Sequence, residues 1–213
     1  MIRAVVFDVG ETLVDETRSW AGWADYMQVP HLTFFAAMGI VVERGWHHHR
    51  VFELIRPGFD REAAIAQRQA EGYRYGFEVD DFYPDAIPCL RALREAGYQV
   101  GLAGNQPIEA EAALTGLGLP VDFVASSAGW GIEKPSPEFF ARTIEAAGVP
   151  ANQIAYVGDR LDNDVIPAAA AGMAAIFVRR GPWGLAHADD PRISLARLQV
   201  EGLNGLAQAI AAL

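Results

Sequence analysis

Apolar positions fall into short runs separated by polar turns, and the spacing inside the runs sorts them into two kinds. Residues 2–7 (IRAVVF), 98–103 (YQVGLA), 121–125 (VDFVA), 153–157 (QIAYV) and 174–178 (AAIFV) are compact apolar runs of strand length, the pattern of strands buried on both faces. Between them, 84–96, 107–117, 136–147 and 163–171 read as helices. The first two open on Pro84 and Pro107, the third follows Ser136-Pro137, and the fourth ends at Gly172. Strands alternating with helices predict an α/β fold with a Rossmann-like, doubly wound parallel sheet.

One stretch breaks the alternation. Residues 15–82 are far too long for a single strand-to-helix connection, and they read as helices over 17–27, 30–45, 47–55 and 60–75. We expect an inserted helical cap over 15–82 and a core formed by 1–14 and 83–213. A cap inserted there would cover the carboxyl ends of the strands, where open α/β sheets bind ligands. The tail from 179 to 202 is rich in turn formers and closes with a helix near 203–212.

Composition narrows the function. A formal charge of −10 with only 17 basic residues argues against nucleic-acid binding, which needs clustered Lys and Arg. No apolar run reaches membrane-spanning length. The segment MIRAVVFDVG reads as a first strand rather than a signal peptide, and Cys89 is the only cysteine. The expectation is a cytoplasmic protein with no membrane partner, and a homodimer is compatible with the chain. Among the basic residues, sixteen are Arg and one is Lys, Lys134. That skew marks position 134 as a place that needs a compact ammonium.

Each predicted core strand ends in polar residues. The first ends at Asp8 in DVGET, the second runs into GN at Gly104-Asn105, the third is followed by EKPSPE with Lys134, and the fourth ends in GDRLDND with Asp159 and Asp164. Parallel strands would bring all of these to one edge. In this order and spacing the chain resembles the haloacid dehalogenase superfamily of hydrolases, in the branch with a helical cap after the first motif.

The resemblance implies a mechanism and a site. Asp8 would be the nucleophile and Lys134 its charge clamp. Thr12, Gly104, Asn105 and Lys134 would hold or frame the phosphate of a small phosphorylated molecule. Mg2+ would be held by Asp8, the backbone carbonyl of Gly10, Asp159 and Asp164. Two positions depart from the family. Position 10, where family phosphatases carry the Asp that moves protons, is Gly, and position 104, usually Ser or Thr, is also Gly.

Candidates to replace the missing acid are few. Glu11 is adjacent but should point away from the Asp8 side. His47, His48 and His49, read as helical, would diverge and not form a ligand set. The Gly158-Asp159 pair argues against a metal-free dehalogenase, and the absence of lysine from 15–82 argues against a phosphonate hydrolase using a cap Schiff base. Two readings stay open: a phosphatase, slow or selective for good leaving groups, and a degenerate relative that binds a phosphorylated ligand or partner without turnover.

Overall fold

The computed structural model describes residues 1–213, which divide into two compact units, residues 1–15 with 76–213 and residues 16–75. The first unit is built on six strands: β1 (Ala4–Phe7), β2 (Gln99–Gly104), β3 (Phe123–Ser126), β4 (Ile154–Gly158), β5 (Ala174–Val178) and β6 (Leu198–Val200). All pair in parallel, in the order β3-β2-β1-β4-β5-β6. The strand order reverses between β1 and β4, which makes their carboxyl ends the switch point of the sheet.

The period of two along β1 shows how the sheet is covered. Val5 and Phe7 face a core with Leu90, Leu93, Leu102 and Ile210, while Ala4 and Val6 face a second core with Phe139, Phe140, Tyr156 and Ala168. Both faces are buried, so the strands can be apolar throughout. Helices Ala86–Glu95, Ile108–Gly116 and Pro137–Ala147 lie where the periodicity put them. The Ser136 hydroxyl caps the last of these by accepting from Glu138 N, with Pro137 in the first turn.

Three differences from the sequence reading have local causes. The helix expected over 163–171 starts as a wide π turn, Leu161–Val165, before the α-helix Ile166–Ala170. The tail read as turns contains the helix Gly181–His187, led by Pro182, and the edge strand β6. Three residues are too few to announce a strand by alternation. Residues 76–82, grouped with the insertion on length, belong to the sheet unit: Phe82 bridges Val14, and Asp15 N donates to Asp81 O at 2.8 Å.

The second unit consists of helices Thr17–Tyr26, His31–Glu43, Arg50–Ile55 and Arg61–Ala70. Its centre is aromatic. Phe52 is buried against Trp23 at a centroid distance of 4.8 Å and against Phe59 at 5.4 Å, with Trp20 and Phe34 beyond. Arg68 is buried by its stem and by its guanidinium, which lies 4.2 Å from the Trp23 ring and 4.0 Å from that of Tyr73. No helix in either unit is long and apolar enough to cross a membrane.

Candidate active site

Asp8 follows β1 directly, and its backbone N–H still donates to Val157 O on β4 at 2.9 Å. The chain then turns sharply. Leu13 N and Val14 N both donate to Val9 O, Glu11 N donates to Val14 O at 2.7 Å, and Glu11 takes a left-handed φ of 54°. This turn fixes Asp8 at the sheet edge beside the switch point.

Lys134 meets Asp8 there. Its Nζ lies 2.8 Å from Asp8 Oδ1 and 2.7 Å from Asp164 Oδ1, with the lysine side chain 2% exposed. The backbone around it is held from both sides by one residue. Lys134 N donates to Asn105 Oδ1 at 2.8 Å, and Asn105 Nδ2 donates to Lys134 O at 3.0 Å. Burial alone would lower the lysine pKa, but the Asp164 and Asp8 carboxylates outweigh it and hold the ammonium well above its usual range.

Asp159 and Asp164 come from the turn after β4. Asp164 Oδ2 accepts Arg160 N at 2.9 Å, so both of its oxygens are engaged. It packs so closely under Gly158 that an added Cβ there would lie 2.5 Å from the Asp164 Cβ. Asp159 Oδ1 accepts the Thr12 hydroxyl at 3.2 Å, while its Oδ2 is buried without any partner. Burial, followed by the charges of Asp164, Asp8 and Glu11, pushes the Asp159 pKa well up.

Asp8, Asp159 and Asp164 each offer an oxygen, all within 4.8 Å of one another, against the single ammonium of Lys134. An orphaned buried carboxylate oxygen beside two further acids is what a hard divalent cation would complete. The donor set therefore fits such an ion. Gly10, half-buried in the same turn and bridged to Val14, has only backbone to contribute.

Two of the residues expected at the phosphate, Thr12 and Asn105, have partners inside the protein. Thr12 is fully buried with its hydroxyl turned to Asp159, so it braces an acid instead of facing an open phosphate position. Asn105 spends both ends of its amide on the Lys134 backbone. Gly104 lies against Asp8: a Cβ at position 104 would come 2.4 Å from Asp8 Oδ1, so a side chain there is excluded by the carboxylate as held.

Sequence reasoning missed the layer behind the turn. Arg180, just past β5, donates to Thr12 O at 2.9 Å and to Asp85 Oδ2 at 2.5 Å, with its guanidinium 4.1 Å from the Tyr83 ring. The Tyr83 hydroxyl in turn donates to Glu11 Oε2 at 2.7 Å. Burial and the Glu11 charge push the Tyr83 phenol up, so it stays a donor. A basic residue after the fifth strand was the only signal, and nothing near it in sequence pointed to Thr12.

Comparison with known proteins shows the family. The sequence model of the haloacid dehalogenase-like hydrolases matches residues 2–172, and the chain belongs to that family. It is similar to a glyceraldehyde 3-phosphate phosphatase of Methanopyrus kandleri, 33% identical over 202 residues and 86% of each chain. A phosphoserine phosphatase of Thermus thermophilus is 36% identical over 162 residues, covering 75% of this chain and 63% of the relative. Among solved structures, a predicted phosphoglycolate phosphatase from Haemophilus somnus superposes with a TM-score of 0.72 at 16% identity over 98% of both chains. The L-2-haloacid dehalogenase of Xanthobacter autotrophicus gives 0.67 at 20% identity over the whole of both, so these likenesses show the fold.

Proposed function

We propose that the chain is a magnesium-dependent phosphatase acting on a small phosphorylated substrate through an aspartyl phosphate on Asp8. The observation that carries this reading is the buried group in which Lys134 Nζ stands 2.8 Å from Asp8 beside the unpartnered Asp159 Oδ2. The phosphatase names of the relatives support the reaction class.

An Asp8 oxygen would attack phosphorus, forming the acyl phosphate while the bond to the leaving oxygen breaks and its electron pair departs with that oxygen. Lys134, oriented by Asp8 and Asp164, would balance the charge on the phosphoryl oxygens. Water then cleaves the acyl phosphate, restoring Asp8 and releasing inorganic phosphate. Mg2+, held by Asp8, the Gly10 carbonyl and Asp159 with Asp164 beside them, would supply further charge neutralisation at the phosphoryl group.

Gly10 sets the selectivity. With no carboxyl at that position the leaving oxygen departs without a proton from it, a contribution worth about 10²–10⁴ in rate. Glu11, the adjacent acid, is engaged by the Tyr83 hydroxyl. Acyl and aryl phosphates, whose leaving groups need little protonation, are the substrates this favours, and substrate choice beyond that is assigned to the inserted helices as a cap. Gly10 also favours the second reading, a relative that binds a phosphorylated ligand without turnover.

The test compares the wild-type chain, Asp8→Asn and Gly10→Asp on an aryl and an alkyl phosphate, with and without Mg2+. Aryl turnover that needs both Mg2+ and Asp8, with alkyl turnover gained by Gly10→Asp, is expected. A wild-type chain inert on both esters, and still inert as Gly10→Asp, would overturn the phosphatase reading in favour of binding.

A further inference from the structure

The three consecutive histidines are not on a helix. His47, His48 and His49 lie in the irregular turn that joins His31–Glu43 to Arg50–Ile55, and a turn can do what a helix face cannot, namely bring adjacent side chains together. Their ring centroids are 4.2 to 4.5 Å apart, and one nitrogen from each ring lies within 4.8 Å of the others. We propose that this turn is a binding site for a borderline divalent cation, Zn2+ or Ni2+, held by three imidazoles with its remaining positions open to water.

Ligand chemistry separates this site from the acidic one. Imidazole nitrogen suits Zn2+ and Ni2+, whereas the carboxylates at the sheet edge suit Mg2+. Tetrahedral coordination at about 2.0–2.1 Å sets ligand nitrogens about 3.3 Å apart, so from separations of at most 4.8 Å the rings close by no more than about 1.5 Å. His47 is exposed, His48 and His49 half-buried, and rotation about their side-chain bonds covers that distance.

His49 N donates to His47 Nδ1 at 3.2 Å. Coordination through Nδ1 displaces that amide, and coordination through Nε2 moves the ring proton to Nδ1. Arg44 and Arg50 lie on the Trp46 ring at 4.7 and 5.5 Å, which places two cations beside the turn. The site should accordingly be weaker than one built with thiolates.

The experiment uses the full chain, stripped of metal and then kept in excess Mg2+ so that the acidic oxygens are filled. Ni2+ is titrated while tryptophan fluorescence is followed, because the Trp20 ring lies 5.7 Å from that of His48. Thermal melting is repeated with Zn2+. One equivalent of Ni2+ should quench saturably, Zn2+ should raise Tm, and His47→Gln and His48→Gln should each weaken binding about tenfold or more.

His47→Gln alters an exposed side chain and decides the matter if His48→Gln fails to fold. Three results would each overturn the site: no binding up to millimolar metal, affinity unchanged in the variants, or binding with no rise in Tm. The last means that the unfolded chain binds as well and the ion is adventitious only.

Discussion

At the sheet edge, side chains from positions 8, 134, 159 and 164 meet because three strand-linked segments end at one place, and Asp8, Lys134 and Asp164 are then locked by hydrogen bonds that involve backbone groups. In the helical unit the groups that meet are either aromatic rings stacked around Phe52 or histidines adjacent in the chain. The first region concentrates charge where water is excluded, so its stability depends on the balance of ions. The second is held by apolar area, so its stability depends on shape.

Opposite substitutions should therefore hurt the two regions by comparable amounts. Phe52→Ala, which empties the aromatic centre, is expected to cost about 3–5 kcal/mol in denaturant unfolding followed by tryptophan emission. Lys134→Met, nearly isosteric but uncharged, leaves the buried carboxylates without their counter-ion and should also cost about 3–5 kcal/mol. If Lys134→Met were instead neutral, the acids at the sheet edge would have to be protonated rather than paired.

Mg2+ should act on one region only. At a hundredfold excess over its dissociation constant it should stabilise the chain by about 2.7 kcal/mol, and Asp159→Asn should remove most of that gain. Asp60→Ala, which deletes the acceptor of the Ala63 N–H at the start of Arg61–Ala70, is local and should cost about 1 kcal/mol with or without the ion.

The two regions also differ in the sign of their pH dependence. The Asp159 pKa is raised on folding, so the folded metal-free chain binds more protons and loses stability as pH rises from the ordinary aspartate range to that raised value. For His49 the pKa is lowered to about 3, so stability is lost as pH falls from its ordinary 6.5 toward that value. Melting curves between pH 4 and 7 for His49→Gln and metal-free Asp159→Asn should each flatten one slope.

Much of the sheet unit was legible because burial on both faces leaves an apolar run bounded by polar residues, and parallel strands oblige their ends to share an edge. That reasoning brought Asp8, Lys134, Asp159 and Asp164 together, as the structure does. It could not see what the neighbours do with their hydrogen bonds. The family resemblance implies that Asn105 and Thr12 hold or frame the phosphate, yet an amide and a hydroxyl serve equally well as internal braces, and only three-dimensional proximity decides between the two. The Arg180 contacts to Thr12 and Asp85 span distant segments with no periodic signal. The helix expected across 47–55 begins only at Arg50, so the three histidines sit in a turn, where adjacent side chains need not diverge as they do on a helix.

The contact between Gly104 and Asp8 has a bearing on how this site could change. Since a Cβ at 104 would fall 2.4 Å from Asp8 Oδ1, the hydroxyl that relatives of this family usually place there would require Asp8 to shift. The Asp8 carboxylate would have to swing away beforehand, and Lys134 is what holds it. Any route from this chain toward the usual family pattern at position 104 thus includes a new placement of the carboxylate beside it.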